Sequence, residues 1–234
     1  PIQKSIVHQH TPEGMVLKPG TKDYVFESKG VMIEGNELPS GIGVQHPWEK
    51  HPSRSQRHIM NIPSFYIDRY PVTNKQFNQF VDETKYHPGD DHNCLKDWQN
   101  GSYLPGWGEK PVTWVSIEDA RAYASWAGER LPHEWEWSYA GQGDDGRLYP
   151  WGNKMDSFRI PKPDTSRKMR VPSNVNSFTN GISPFGVLDM VGNVWQWTDE
   201  YVDSHTRFSI LKGGSYYHPQ TSDWYFPNAY ELIE

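Results

Sequence analysis

The sequence predicts an α+β domain poor in regular structure, and three observations carry that prediction. Twenty Gly and 19 Pro are spread along the 234 residues, which cuts the chain into short elements joined by turns. Aromatic residues make up 14%, with 11 Trp, against a hydrophobic content of only 35% and a mean hydropathy of -0.82, so large rings must supply much of the core. Helical periodicity is confined to the middle of the chain, and the flanks read as strands and turns. No linker interrupts the sequence, so residues 1–234 are expected to form one domain.

The elements follow in order. Residues 14–36 read as short strands punctuated by Gly, with Val16, Leu17, Tyr24, Phe26, Val31 and Ile33 as inward residues. Residues 37–60 carry Pro, Gly, Ser and His without a period and read as a loop. Phe65-Tyr66-Ile67-Asp68 forms a brief strand, and a helix then starts at Thr73. There Thr73 and Gln76 fit a capping box, in which each side chain satisfies the other residue's free backbone N–H, and Phe77, Phe80 and Val81 share a face. A second helix begins at Ser116, with Asp119 at its positive dipole end, an apolar stripe of Ile117, Ala120, Ala124 and Ala127, and Gly128 as its stop. A third, short helix follows Pro132 and runs through Trp135 and Tyr139 to Gly141. From Leu148 onward the chain reads as turns and short strands, with Val194, Trp195, Trp197, Ile210 and Leu211 buried.

Several function classes are excluded at this level. A formal net charge of -6 and the lack of any dense Lys/Arg run argue against a nucleic-acid partner. No apolar stretch approaches the roughly 18–20 residues that cross a bilayer, and the first ten residues have no apolar signal-peptide core. A single cysteine, Cys94, excludes an internal disulfide and a cysteine-rich zinc site, and reads as an incidental thiol. His133-Glu134-Trp135-Glu136-Trp137 has Trp where a zinc-protease helix needs its second His. His46, His51, His58, His87 and His92 have no common face and read as solvated loop residues. Gly141–Gly146 lacks the Lys of a phosphate loop and reads as a turn.

Four ordered segments carry a resemblance. The first is Phe65-Tyr66-Ile67-Asp68-Arg69-Tyr70-Pro71-Val72-Thr73-Asn74 with Phe77 and Phe80. The second runs from Pro111-Val112-Thr113-Trp114-Val115-Ser116 to Trp126-Ala127-Gly128. Next comes Glu129-Arg130-Leu131-Pro132, leading to Tyr149-Pro150-Trp151-Gly152-Asn153. The last is Ser183-Pro184-Phe185-Gly186 through Asp189-Met190-Val191-Gly192-Asn193-Val194-Trp195-Gln196-Trp197-Thr198, followed by Leu211-Lys212-Gly213-Gly214-Ser215-Tyr216. Together they resemble the sulfatase-modifying-factor, or formylglycine-generating, family across residues 14–217. The resemblance implies that family's loop-rich α+β fold, related to C-type lectin domains.

It also implies what to look for in a site. The family's oxidation uses two copper-binding cysteines shortly after the Gly-Gly-Ser stretch, whereas residues 213–230 here contain no sulfur ligand, so no copper is expected. By resemblance, Asp189, Gly192, Val194 and Gln196 are the ligands of a structural calcium ion, with Gln196 standing where the family commonly has Glu. Trp195, Trp224 and Tyr225 either line the cleft, as a stacking surface for a peptide or carbohydrate, or serve as core residues. The family pattern continues beyond Glu234 into a further strand, so the chain is expected to be a fragment of a longer protein with other domains. The functional expectation is a binding or interaction module. The alternatives are a domain of an iron-dependent sulfoxide synthase, with metal ligands supplied elsewhere, and a structural role of the kind some lipoproteins give this fold.

Overall fold

The computed structural model describes residues 10–29, 55–162, 171–201, 209–216 and 230–233. Its strands are β1 (Met15–Lys18), β2 (Thr21–Lys29), β3 (Ser55–Ile62), β4 (Phe65–Asp68), β5 (Gln196–Tyr201) and β6 (Ser209–Lys212). They form three antiparallel pairs, β1 with β4, β2 with β3 and β5 with β6. Between β4 and β5 lie α1 (Asn74–Thr84), α2 (Ile117–Ala127) and α3 (Glu134–Gln142). The expected α+β, loop-rich architecture is present. Among the described residues no helix is long and apolar enough to cross a membrane.

The first two helices begin where the local chemistry puts them. Both expected N-caps form reciprocal boxes, Thr73 with Gln76 and Ser116 with Asp119, and Gly128 ends α2 in the left-handed conformation with φ 76°. Phe77 and Phe80 of α1 pack edge-on to one another, and Tyr123 of α2 stacks on Phe77 at 5.7 Å between ring centroids. These rings form the centre of one aromatic cluster.

The third helix differs from an ordinary amphipathic one, because all of its residues except Trp135 are buried. Trp137 and Ala140 join a core with Val16, Val187, Met190 and Leu232, while Tyr139 joins a second core with Tyr24, Phe26, Ile62 and Phe65. Its buried polar groups are each paired. Glu134 accepts from Ser28 Oγ at 2.8 Å and pairs with Lys212, Ser138 donates to the Leu232 carbonyl, and Gln142 accepts from the Tyr24 hydroxyl. Every one of those partners lies on another element or segment, so satisfying α3 also docks β2, β6 and the chain's last described residues.

Four sequence expectations need correction. Leu17 is 49% exposed, because in β1 it is Val16 and Lys18 that face inward. Residues 55–60 belong to β3 rather than to a loop; Ser-Gln-Arg-His-Ile-Met-Asn-Ile shows no alternation because the pairing with β2 is carried by the backbone and Ile59 is 69% exposed. In β6, Leu211 lies at the surface and Lys212 is buried against Glu134. Trp195, Trp197 and Ile210 are half-buried rather than buried, whereas Val194 is buried as expected. Val31 and Ile33 lie outside the described residues.

Lys18 is an unusual core residue. It is fully buried, its ammonium sits 3.4 Å from the Tyr139 ring centroid and also over Phe185, and Nζ has no hydrogen-bond partner among the described residues. Burial pulls its ionisation down to about 7, against a smaller opposing pull from Asp144. Because the unfolded chain keeps this lysine protonated to a much higher pH, Lys18 makes the fold less stable as pH falls from about 10 to 7. Lys18→Met is therefore expected to melt at a higher temperature than the parent at pH 7, with the gap narrowing toward pH 10.

Candidate functional site

A cavity of about 770 Å³ opens between the end of β4, α2, the segment leading into α3, and the loop before β5. Trp114, Tyr123, Trp137, Trp195, Trp197 and Tyr216 supply its aromatic walls. Local bonds set their places. Trp197 donates its indole N–H to the Val115 carbonyl at 3.1 Å, and the Asp199 N–H donates to the Pro132 carbonyl at 2.9 Å, so β5 is tied to the segments on either side of α2. Trp114 holds a left-handed backbone, φ 60°, which a bulky residue rarely adopts. Its carbonyl accepts from Leu95 N–H, its indole N–H donates to Asp97 at 2.9 Å, and the ring is 47% exposed at the cavity's rim.

The charged lining is lopsided. Asp68, Asp97, Glu129 and Glu136 face Arg130 alone among basic residues. Arg130 is committed to Glu136 through two bonds of 2.7 Å, and the same carboxylate accepts the His133 backbone N–H. Asp68 and Glu129 have no such partner: neither side chain makes an ion pair or hydrogen bond among the described residues. Burial pushes the Asp68 carboxyl up to about 6. It pushes Glu129 up to about 7, with Asp68's negative charge adding to the effect.

The four positions expected to hold calcium lie together in the loop before β5. Asp189 is buried in a left-handed conformation, φ 54°, and one of its oxygens accepts the Asn176 N–H at 2.9 Å; burial raises its ionisation to about 6. Gly192 donates to the Gly213 carbonyl at 2.7 Å, and the approach is so close that a Cβ on Gly213 would lie 2.3 Å from the Met190 carbonyl oxygen. Gln196 spans the loop. Its amide nitrogen donates to the carbonyls of Asp189 at 2.9 Å and Met190 at 3.2 Å, while its oxygen accepts the Trp137 indole N–H at 2.9 Å. An indole N–H only donates and a carbonyl only accepts, so the two ends of this amide cannot be exchanged. In this arrangement the Gln196 oxygen is engaged by Trp137 and its nitrogen by two loop carbonyls, so a calcium ion at these positions would compete with that bracing. Among the described residues no three of His, Cys, Asp and Glu group as metal ligands.

Of the other expected site residues, Trp195 lies in the cavity wall, while Trp224 and Tyr225 lie outside the described residues. Cys94 is half-buried against Asp119, and its thiol is pushed up to about 11 by burial and by that carboxylate, which leaves it protonated and unreactive at neutral pH. His58, His87 and His92 are exposed. Sequence reasoning missed Asp68, Glu129 and Trp114 as site residues, although all three lie in the motif segments. Asp68 and Glu129 are 61 positions apart and meet only through the tertiary fold, so no spacing signals them.

Residues 7–231 match the sulfatase-modifying factor enzyme 1-like domain. The chain is 31% identical to the uncharacterized protein YfmG of Bacillus subtilis over 88% of its own length, which is 49% of that protein. It is 32% identical to the inactive C-alpha-formylglycine-generating enzyme 2 of Bos taurus, covering 80% of this chain and 77% of that one. Hercynine oxygenase of Mycolicibacterium smegmatis is 31% identical over 72% of this chain and 44% of its own. The chain thus spans about half the length of two of these relatives. The fold is similar to that of Treponema denticola variable protein 1, with a TM-score of 0.58 at 16% identity over 100% of this chain and 92% of that one.

Two outcomes follow from the site. Gln196→Glu replaces two donors with a charge facing two carbonyl oxygens, and is expected to cost about 1–3 kcal/mol in a chelator. Calcium should restore that loss in the variant while leaving the parent's melting temperature unchanged. Glu129 titrates higher in the fold than in the unfolded chain, so its contribution is full at low pH and is lost as pH rises through about 7. Glu129→Gln is therefore expected to melt above the parent at pH 8, by about 1 kcal/mol after solvent screening, and to converge with it below pH 5.

Proposed function

The chain belongs to the sulfatase-modifying factor enzyme 1-like domain family, and we propose that it serves as a ligand-binding module built on that scaffold rather than as a formylglycine generator. The observation that carries this reading is the sulfur inventory. The resemblance implies a reaction that oxidises a substrate cysteine at a copper ion held by two thiolates, and this chain has one cysteine in all. That cysteine sits between α1 and α2, hydrogen-bonded to Asp119 and protonated at neutral pH. The similarity to a relative named as inactive supports the same reading. What remains in place is the cavity, whose volume falls within the usual range for small-ligand sites and whose aromatic walls, Trp195 among them, suit a sugar or a peptide side chain. Similarity to a chlamydial serine/threonine-protein kinase, of which the match covers 28%, supports a module carried within longer proteins.

A second reading rests on the similarity to hercynine oxygenase: a domain of an iron-dependent oxidase whose metal ligands come from another part of the protein. The two readings separate in one experiment. The purified chain, supplied with copper, a reductant and a cysteine-containing sulfatase peptide, is expected to leave the peptide's mass unchanged; conversion of the cysteine to the aldehyde would overturn the module. Iron bound at one equivalent by the full-length protein, together with sulfoxide formation from a thiol and an imidazole substrate, would establish the second reading in its place.

A further inference from the structure

We propose that the cavity takes an organic cation, a compound with an apolar or aromatic body and a protonated amine, and that Asp68 and Glu129 receive the amine. The inference rests on the ligand-binding reading and names the chemistry of its ligand. The cavity's walls come first: indole and phenol rings from α2, α3, the β5 strand and the loop before it enclose a volume suited to a small organic molecule. Such rings present negative faces that favour a cation over a neutral group of equal size.

The charges select the same class. Four acidic side chains and one basic one line the space, and the one basic group, Arg130, is held in a two-bond pair with Glu136. Asp97 is occupied by the Trp114 indole. Asp68 and Glu129 are left over on the same cavity wall, near enough for the charge of one to act on the other, half-buried, and without a cation or donor among the described residues. An anionic ligand would meet them unfavourably, and a neutral one would leave them as they are. A protonated amine would pair with both and remove the mutual repulsion of the two carboxylates, while its organic body meets the aromatic walls.

The other titratable groups lining the cavity are Tyr66, Tyr70, Tyr123 and Tyr216, Arg130 before α3, Glu136 on α3, and Asp97 at the rim. Of these only Arg130 carries positive charge, and it is already paired. With both free carboxyls raised by burial, amine binding should strengthen as pH climbs from 5 to 8, where the carboxyls ionise while an alkylamine stays protonated.

The test uses two amines and their matched alcohols: phenethylamine with 2-phenylethanol, and tyramine with tyrosol. Binding to the full chain is followed at pH 8 by amide chemical-shift titration and by the shift in melting temperature. Each amine is expected to bind about tenfold tighter than its alcohol. Asp68→Asn and Glu129→Gln should each shrink that preference to within about twofold while the alcohols bind as before. Glu129→Lys places a cation beside Asp68, and should raise the melting temperature of the free protein and abolish the amine preference. Equal binding of amine and alcohol would overturn the cation assignment while leaving the cavity reading standing. Binding of neither class, with the shift spectra unchanged, would overturn both. A variant that fails to fold is recognised by its amide spectrum, and the remaining two variants then decide.

Discussion

A short, buried, polar helix is the constraint on which the rest of this structure depends. Nine residues of α3 bring Glu134, Glu136, Ser138 and Gln142 into the interior together with Trp137 and Tyr139. A buried polar group left alone costs free energy of order 1–3 kcal/mol, more if it is charged, so this helix is tenable only if other parts of the chain arrive to satisfy it. They do so in register. Lys212 reaches Glu134 from β6, Arg130 grips Glu136 from the preceding turn, Gln196 meets Trp137 from the start of β5, and the Leu232 carbonyl takes the Ser138 hydroxyl. A fold whose described strands form three two-stranded pairs thereby acquires the connectivity that a larger sheet would otherwise supply.

The same network explains which groups remain for function. Arg130 is spent on Glu136, and the Gln196 amide is spent at both of its ends, so the loop before β5 is braced by hydrogen bonds in the place where the resemblance puts a metal ion. The carboxylates outside the network, Asp68 and Glu129, sit at the junction of β4 and the end of α2, where none of the described elements packs a basic residue against them.

How much of this was legible in the sequence depends on whether the signal was local. Helix starts and stops were, because Thr73, Ser116 and Gly128 act on backbone groups within a turn of themselves. The family resemblance carried the fold for a similar reason: Trp- and Gly-rich segments encode close approaches, such as that of Gly213 to Met190, that tolerate few substitutes. Strand faces were misread at Leu17 and Leu211, where a lysine turns inward in place of the neighbouring leucine. Lys18 settles between aromatic rings and Lys212 against Glu134, and neither partner is close in sequence. The site divided in the same way. Trp195 and the loop from Asp189 to Gln196 stood out as a motif, while the convergence of Asp68 and Glu129 on one cavity and the orientation of the Gln196 amide exist only once α2 and α3 are in place.

Scaffold and chemistry are therefore separable in this chain. The family's motifs hold an aromatic, acidic cavity in position, and the two thiolates that the family's oxidation needs are not supplied by this sequence. The most direct measurement is a copper(I) titration of the purified chain against a competing chromophoric chelator. The account predicts that the chelator keeps the copper throughout. Transfer of one equivalent of copper(I) to the protein, with affinity retained when Cys94 is replaced by Ser, would contradict it by revealing a copper site that needs no thiolate.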